Sequence, residues 1–149
     1  CLTSFGGARL YVLSPPPGGG AGRPGANNSS IVVRIVFGAV SFLFTGDAEL
    51  PAERKLTRRY GAFLSSTVLK VSHHGSAGAT GAGFLDRVHP DVALVSAGRM
   101  NRYGHPSPDL IRRLALQGTR VLRTDCAGAA ILETDGRSLA VRAWRDEQP

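Results

Sequence analysis

Apolar positions along the chain fall into short β-rich runs separated by polar, glycine-containing segments. Arg9 to Leu13 is the first such run. Ile31 to Phe37 and Val40 to Thr45 follow, around Gly38-Ala39, a two-residue hairpin signal. The unbroken apolar content of 40 to 44 predicts a strand buried on both faces. Residues 49 to 60 carry helix formers, with Asp47 and Glu49 placed where a helix N-terminus favours negative charge. Thr67 to Val71 is a strand that runs directly into Ser72-His73-His74-Gly75-Ser76. A short helix is predicted around Phe84 to Val88, a strand over Val92 to Ser96, and a polar loop over 97 to 106. Ser107-Pro108-Asp109 reads as a helix start, with an N-cap serine and a proline in the first turn, and Gly118 as its stop. Strands Arg120 to Leu122, Ala129 to Glu133 and Ser138 to Ala143 close the pattern, the last two joined at Asp135-Gly136.

Strands alternating with helices, plus terminal hairpins, predict an α/β fold with a mixed sheet covered by helices. The 149 residues amount to a single domain or part of one. Residues 14 to 30, with four Pro and five Gly, are expected to be a flexible surface loop. No apolar run approaches the ~18 to 20 residues that span a bilayer, and the start lacks a signal-peptide pattern. The chain opens with Cys1, not Met, so it is expected to be a piece of a longer protein. Cys1 and Cys126 have no CxxC spacing; this excludes a disulfide framework or a cysteine zinc knuckle and leaves one bridge between them open.

Charge narrows the partners. Eighteen Lys plus Arg against 11 Asp plus Glu give +7, which favours phosphates or an anionic surface. Only Lys55 and Lys70 are lysines, so a GC-rich genome accounts equally well for the arginine excess. The cations are scattered and form no basic stripe.

Candidate chemistry sits after the strands, where α/β proteins place ligands. Asp47 follows one buried strand, His73 and His74 a second, and His105 lies in the loop after a third. A carboxylate and two or three imidazoles on one rim form an N/O set suited to zinc or manganese. Such an ion would make hydroxide available at neutral pH. Each residue also has a plainer reading: Gly-Asp after a strand is a common turn or helix cap, adjacent histidines diverge, and His105 precedes a proline. His89 closes a helix and is not expected to be functional.

Leu43-Phe44-Thr45-Gly46-Asp47, Val68 through Ser76 with its HHGS, Asn101-Arg102-Tyr103-Gly104-His105-Pro106 and Arg123-Thr124-Asp125 together resemble the metallo-β-lactamase-like domain of the ComEC family of DNA-uptake competence proteins. Asn27-Asn28-Ser29-Ser30 fits the NxxS element of that family, and the resemblance spans roughly residues 9 to 143. It implies the C-terminal half of an αββα sandwich and a divalent-metal nuclease acting on DNA, single-stranded DNA in particular. It implies one or two zinc or manganese ions in the complete domain. Asp47 would bridge metal, His74 and His73 would stand at or beside it, and His105 would be the late histidine of the site. Lys70, Ser76, Asn101 and Arg102 would touch phosphate. The implied setting is a bacterial inner-membrane protein with this domain on its outer side, attached to a membrane channel region.

The HxHxDH signature of the superfamily is absent from the 149 residues and lies upstream in related folds. The missing N-terminal half of the domain is therefore an expected partner, and enzymatic activity is expected only once the two halves are joined. Half a sandwich is expected to expose an apolar sheet face and to aggregate or dimerise. The rival readings are a catalytically inactive DNA-binding module and a hydrolase of the same fold acting on small phosphodiesters or esters.

Overall fold

The computed structural model describes residues 2–16 and 26–144. Seven strands lie in sequence order across one sheet: β1 (Leu2–Phe5), β2 (Ala8–Ser14), β3 (Val32–Phe37), β4 (Val40–Phe44), β5 (Val68–Lys70), β6 (Val92–Val95) and β7 (Arg120–Arg123). The first four are antiparallel to their neighbours, and β4 to β7 run parallel. Helices α1 (Leu50–Tyr60), α2 (Ala82–Val88) and α3 (Pro108–Leu116) make the three parallel crossovers. Because each crossover moves one strand in the same direction, the right-handed rule places all three helices on one face. Their buried residues accordingly share one core with the sheet: Leu56, Leu85, Leu110 and Leu114 pack with Leu43, Leu69, Ala93 and Val95.

The other face carries a second row that is apolar except for Lys70. Val12, Val33, Phe44, Lys70, Leu94 and Leu122 are successive register partners from β2 to β7. These side chains are partly exposed, Phe44 at 39%. This is the half-covered sheet face expected of half a sandwich. After the short helix α4 (Thr124–Ala127), β8 (Ala130–Thr134) and β9 (Leu139–Ala143) form a separate hairpin. Its turn is bonded to the β3–β4 turn: the Ala39 N–H donates to the Gly136 carbonyl at 2.7 Å. A Cβ on Gly38 would lie 2.1 Å from that same oxygen, so the two backbones approach as only glycine permits.

The helix boundaries match the sequence pattern closely. Ser107 caps α3, accepting the Leu110 N–H at 3.2 Å, and His89 ends α2 in the left-handed conformation. Several features differ from expectation. Strand β4 is not buried on both faces, because Phe42 and Phe44 lie on the face that no helix covers. The short helix α4 between the closing strands has no counterpart in the sequence pattern. The chain begins with a strand, β1, that turns through Gly6 and Gly7, both at positive φ. Of the expected 14–30 loop, Ser14 belongs to β2 and Ala26–Ser29 form a 3-10 turn, while 17–25 lie outside the described residues. The Cys1–Cys126 pairing also falls outside them, because Cys1 is not described.

Candidate metal and phosphate site

Parallel order puts the C-terminal ends of β4, β5, β6 and β7 on one rim, and the chemistry-bearing loops leave from those ends. Asn27 to Ser30 underpin that rim. The Ser30 Oγ accepts the Asp47 N–H at 3.0 Å, and a Cβ on Gly46 would meet the Ser30 Cβ at 2.9 Å. Asn27 Nδ2 donates to Glu49 Oε1 at 3.0 Å. Asn28 does a remote capping job. Glu49, the residue preceding α1, makes no side-chain cap bond, and Asn28 Oδ1 accepts the Ala52 N–H at 3.2 Å instead. This satisfies one of the orphan donors of the first turn. Asn28→Ala is expected to lower stability by about 1 kcal/mol, read as a Tm fall of about 2–4 °C in thermal unfolding. An unchanged Tm would show that the bond is dispensable.

The loop after β5 holds the paired histidines. Both adopt positive φ, 46° for His73 and 54° for His74, a conformation unfavourable for residues with a Cβ. Bonds on either side hold it. The His73 N–H donates to the Gly46 carbonyl at 3.0 Å, and the Gly75 carbonyl accepts the Ser107 N–H at 2.8 Å. Gly75 packs so tightly on Pro106 that a Cβ would come within 2.6 Å. The kink turns the two rings apart, to 65° with centroids 6.3 Å from each other.

His74 Nδ1 lies 2.7 Å from the Ser96 carbonyl, which can only accept, so this nitrogen carries the proton. Its Nε2 lone pair is thereby left open, 3.9 Å from Asp47 Oδ1. His73 Nδ1 is buried, makes no hydrogen bond, and lies 3.3 Å from Glu49 Oε1. His105 stands 5.9 Å from His73, ring centre to ring centre. Burial, and then the neighbouring His73 and His74, hold its pKa below the ordinary histidine value. His105 is thus neutral, with a lone pair to offer, at neutral pH.

The substrate-directed residues divide. Lys70 Nζ donates to the Val71 carbonyl at 2.8 Å, and burial lowers its pKa while Asp47 acts in the opposite sense. Two of its three N–H bonds remain for another acceptor. Ser76 Oγ accepts the Gly78 N–H at 3.3 Å. Asn101 is a loop organiser: its amide donates to the Gly98 and His105 carbonyls at 2.8 and 2.7 Å, and its Oδ1 accepts the His105 N–H at 2.8 Å. Both ends of that side chain are occupied, so the phosphate contact expected of it would require those bonds to open. Arg102 donates to the Tyr103 hydroxyl at 2.9 Å. From the end of β7, Thr124 bridges to the loop after β6, accepting the Ala97 N–H and donating to the Ala97 carbonyl, both at 2.9 Å.

The rim therefore brings Asp47, His73, His74 and His105 together and adds Glu49, which the sequence marked only as a helix-start acid. Two imidazole–carboxylate pairs result, His74 with Asp47 and His73 with Glu49. Their donor types suit a borderline divalent ion. The orphaned His73 nitrogen and the open His74 nitrogen fit such a ligand. Among the described residues, however, no three His, Cys, Asp or Glu side chains converge closely enough to hold an ion by themselves. The described residues also include no helix long and apolar enough to cross a membrane.

Fold and rim define a mixed α/β domain of sandwich type with a histidine–carboxylate cluster at its strand ends. No protein-family model matches the chain. Individual proteins do. ComE operon protein 3 of Bacillus subtilis is 39% identical over 120 residues, covering 80% of this chain and 15% of that protein. Competence protein ComA of Neisseria gonorrhoeae is 40% identical over 103 residues, 69% of this chain and 15% of its own length. Recombination protein 2 of Haemophilus influenzae is 37% identical over 102 residues, 68% of this chain and 13% of that protein. The chain belongs to the ComEC family of competence proteins. It spans about 15% of the length of the relatives it matches.

Proposed function

We propose that this chain is the C-terminal half of a metallo-β-lactamase-like nuclease domain, serving DNA uptake in a competence protein of the inner membrane. The observation that carries the reading is the rim itself: a histidine with a defined tautomer whose free nitrogen faces Asp47, beside a second histidine paired with Glu49. The two pairs supply part of a coordination sphere for zinc or manganese, with the upstream half of the domain providing the remaining ligands. An ion held there would polarise a phosphoryl oxygen as a Lewis acid. Ser96 fixes the His74 ring, Asn27 orients Glu49, and Lys70, one N–H already given to the Val71 carbonyl, would have its other two to offer a phosphate. Exposed Arg54, Lys55, Arg58 and Arg59 on α1 add to the positive charge that favours a polyanionic strand.

The test is metal removal in the intact protein. Cleavage of single-stranded DNA is expected to stop on chelation and to return with manganese or zinc. Turnover of a small phosphodiester with no cleavage of DNA would favour a small-substrate hydrolase. Metal-independent DNA binding that falls steeply with salt, with no cleavage, would mark an inactive binding module.

A further inference from the structure

The loop after β6 carries an aromatic side chain that neither the core nor the metal-directed residues use. Tyr103 is 66% exposed, yet its ring has fixed neighbours. The Arg102 guanidinium lies 5.0 Å from the ring centre and bonds its hydroxyl, and the His105 ring lies 5.8 Å away at only 19°. Underneath, the three Asn101 bonds pin the backbone on both sides of the tyrosine. An apolar ring on a loop ordinarily moves freely. This one is held in a single orientation with most of its surface open to solvent, and one imidazole separates it from His73.

We propose that Tyr103, with His105 beside it and Arg102 on its ring, is a stacking subsite for one nucleobase of a strand whose phosphate lies on the His73–His105 rim. The proposal rests on the nucleic-acid reading above and makes it more specific. Every nucleobase presents a flat π face, so a fixed aromatic binds bases without selecting among them, while a neighbouring guanidinium serves the adjoining phosphate. Because the ring is already held, little side-chain freedom is lost when a base docks. The chemistry distinguishes a strand bearing bases from a bare phosphodiester, which gains nothing from Tyr103.

The experiment compares two fluorescein-labelled strands of equal length, oligothymidylate and a wholly abasic strand, binding to the intact protein under chelation so that neither is cut. Fluorescence anisotropy is expected to show oligothymidylate bound about tenfold or more tighter than the abasic strand. Tyr103→Ala is expected to bring that ratio close to one without changing affinity for the abasic strand, and Tyr103→Phe to keep the preference. The exposed position makes both variants compatible with the fold. A preference that survives Tyr103→Ala overturns the subsite. Equal binding of both strands by the unaltered protein also overturns it and leaves the nucleic-acid reading standing. Binding of neither strand overturns the subsite, and whether DNA cleavage returns with metal then decides the nuclease reading on its own.

Discussion

Asp47→Ala in the intact protein is expected to reduce metal-dependent DNA cleavage by at least about 10²-fold while leaving the fold intact. Outer-shell partners of metal ligands typically contribute 10–100-fold, so a carboxylate that would, on the proposed function, face the ion directly should exceed that range. The side chain is half-exposed and follows Gly46 at the end of β4, and the local backbone is held by Ser30 through the Asp47 N–H, which alanine keeps. Circular dichroism and Tm should therefore stay near those of the unaltered protein. His74→Ala should match Asp47→Ala in effect. The double variant should lose little beyond either single one, because two groups serving one ion fail together. Glu49→Gln, acting through His73, should cost less, about 10–100-fold. Cleavage by Asp47→Ala within twofold of the unaltered rate would remove the rim from the chemistry.

The second large effect concerns stability. Glu53 is 1% exposed, on the core side of α1, and its carboxylate accepts the backbone N–H groups of Thr80 and Gly81, the latter at 2.9 Å. It is thereby the fastener between α1 and the segment that leads into α2. Burial pushes its pKa above the ordinary value, and the two backbone N–H bonds and Arg113 oppose that shift. Glu53→Ala leaves the buried Thr80 N–H and the partly buried Gly81 N–H without their carboxylate partner and removes buried side-chain volume from α1. The expected loss is about 2–4 kcal/mol in chemical denaturation. Glutamine, with one acceptor and an N–H₂ group facing an N–H, should recover only part of it. The pH sense follows from the raised folded pKa. The carboxyl's contribution is fullest below the unfolded value and declines as pH rises through the folded one. The gap between the unaltered protein and the alanine variant should accordingly be wider in mild acid than at neutral pH. A gap that widens toward neutral pH instead would mean that the ionised form is the one the fold prefers.

The same two acids show where sequence reading stops. The apolar run Val40 to Phe44 announces a central strand, but the burial on both faces that such a run suggests is not met, because the face away from the helices is only half-covered and leaves Phe44 39% exposed. Ser107-Pro108-Asp109 announces a helix because its capping bond spans only three residues. Asp47, His73, His74 and His105 were legible as a set because each follows a recognisable strand and carries a side chain rarely needed there for packing. Glu49 and Glu53 look like ordinary helix-start residues. Their partners, Asn27, His73, Thr80 and Gly81, lie more than twenty positions away, and nothing local encodes those distances. Asn28 is a similar case, a loop residue by composition and a helix cap by position. The first strand escaped because Thr3 and Ser4 break its apolar pattern, and only pairing with β2 makes it a strand. The one-directional strand order and the second apolar face it exposes likewise depend on pairing, which periodicity does not contain.

The loops of the rim are tied to one another in a chain. Ser30 holds Asp47, Gly46 holds His73, Gly75 holds Ser107, and Thr124 holds Ala97. Two of these ties, Gly46 to His73 and Gly75 to Ser107, join backbone to backbone and survive a change of side chain but not a change of loop length, while the other two depend only on the Ser30 and Thr124 hydroxyls. Point substitutions can therefore retune the chemistry one residue at a time, whereas an insertion or deletion in one loop displaces the bond that positions the next. Descendants of this rim should vary in sequence far more readily than in spacing, and loops moved between relatives should work when transferred as a set and fail when transferred singly.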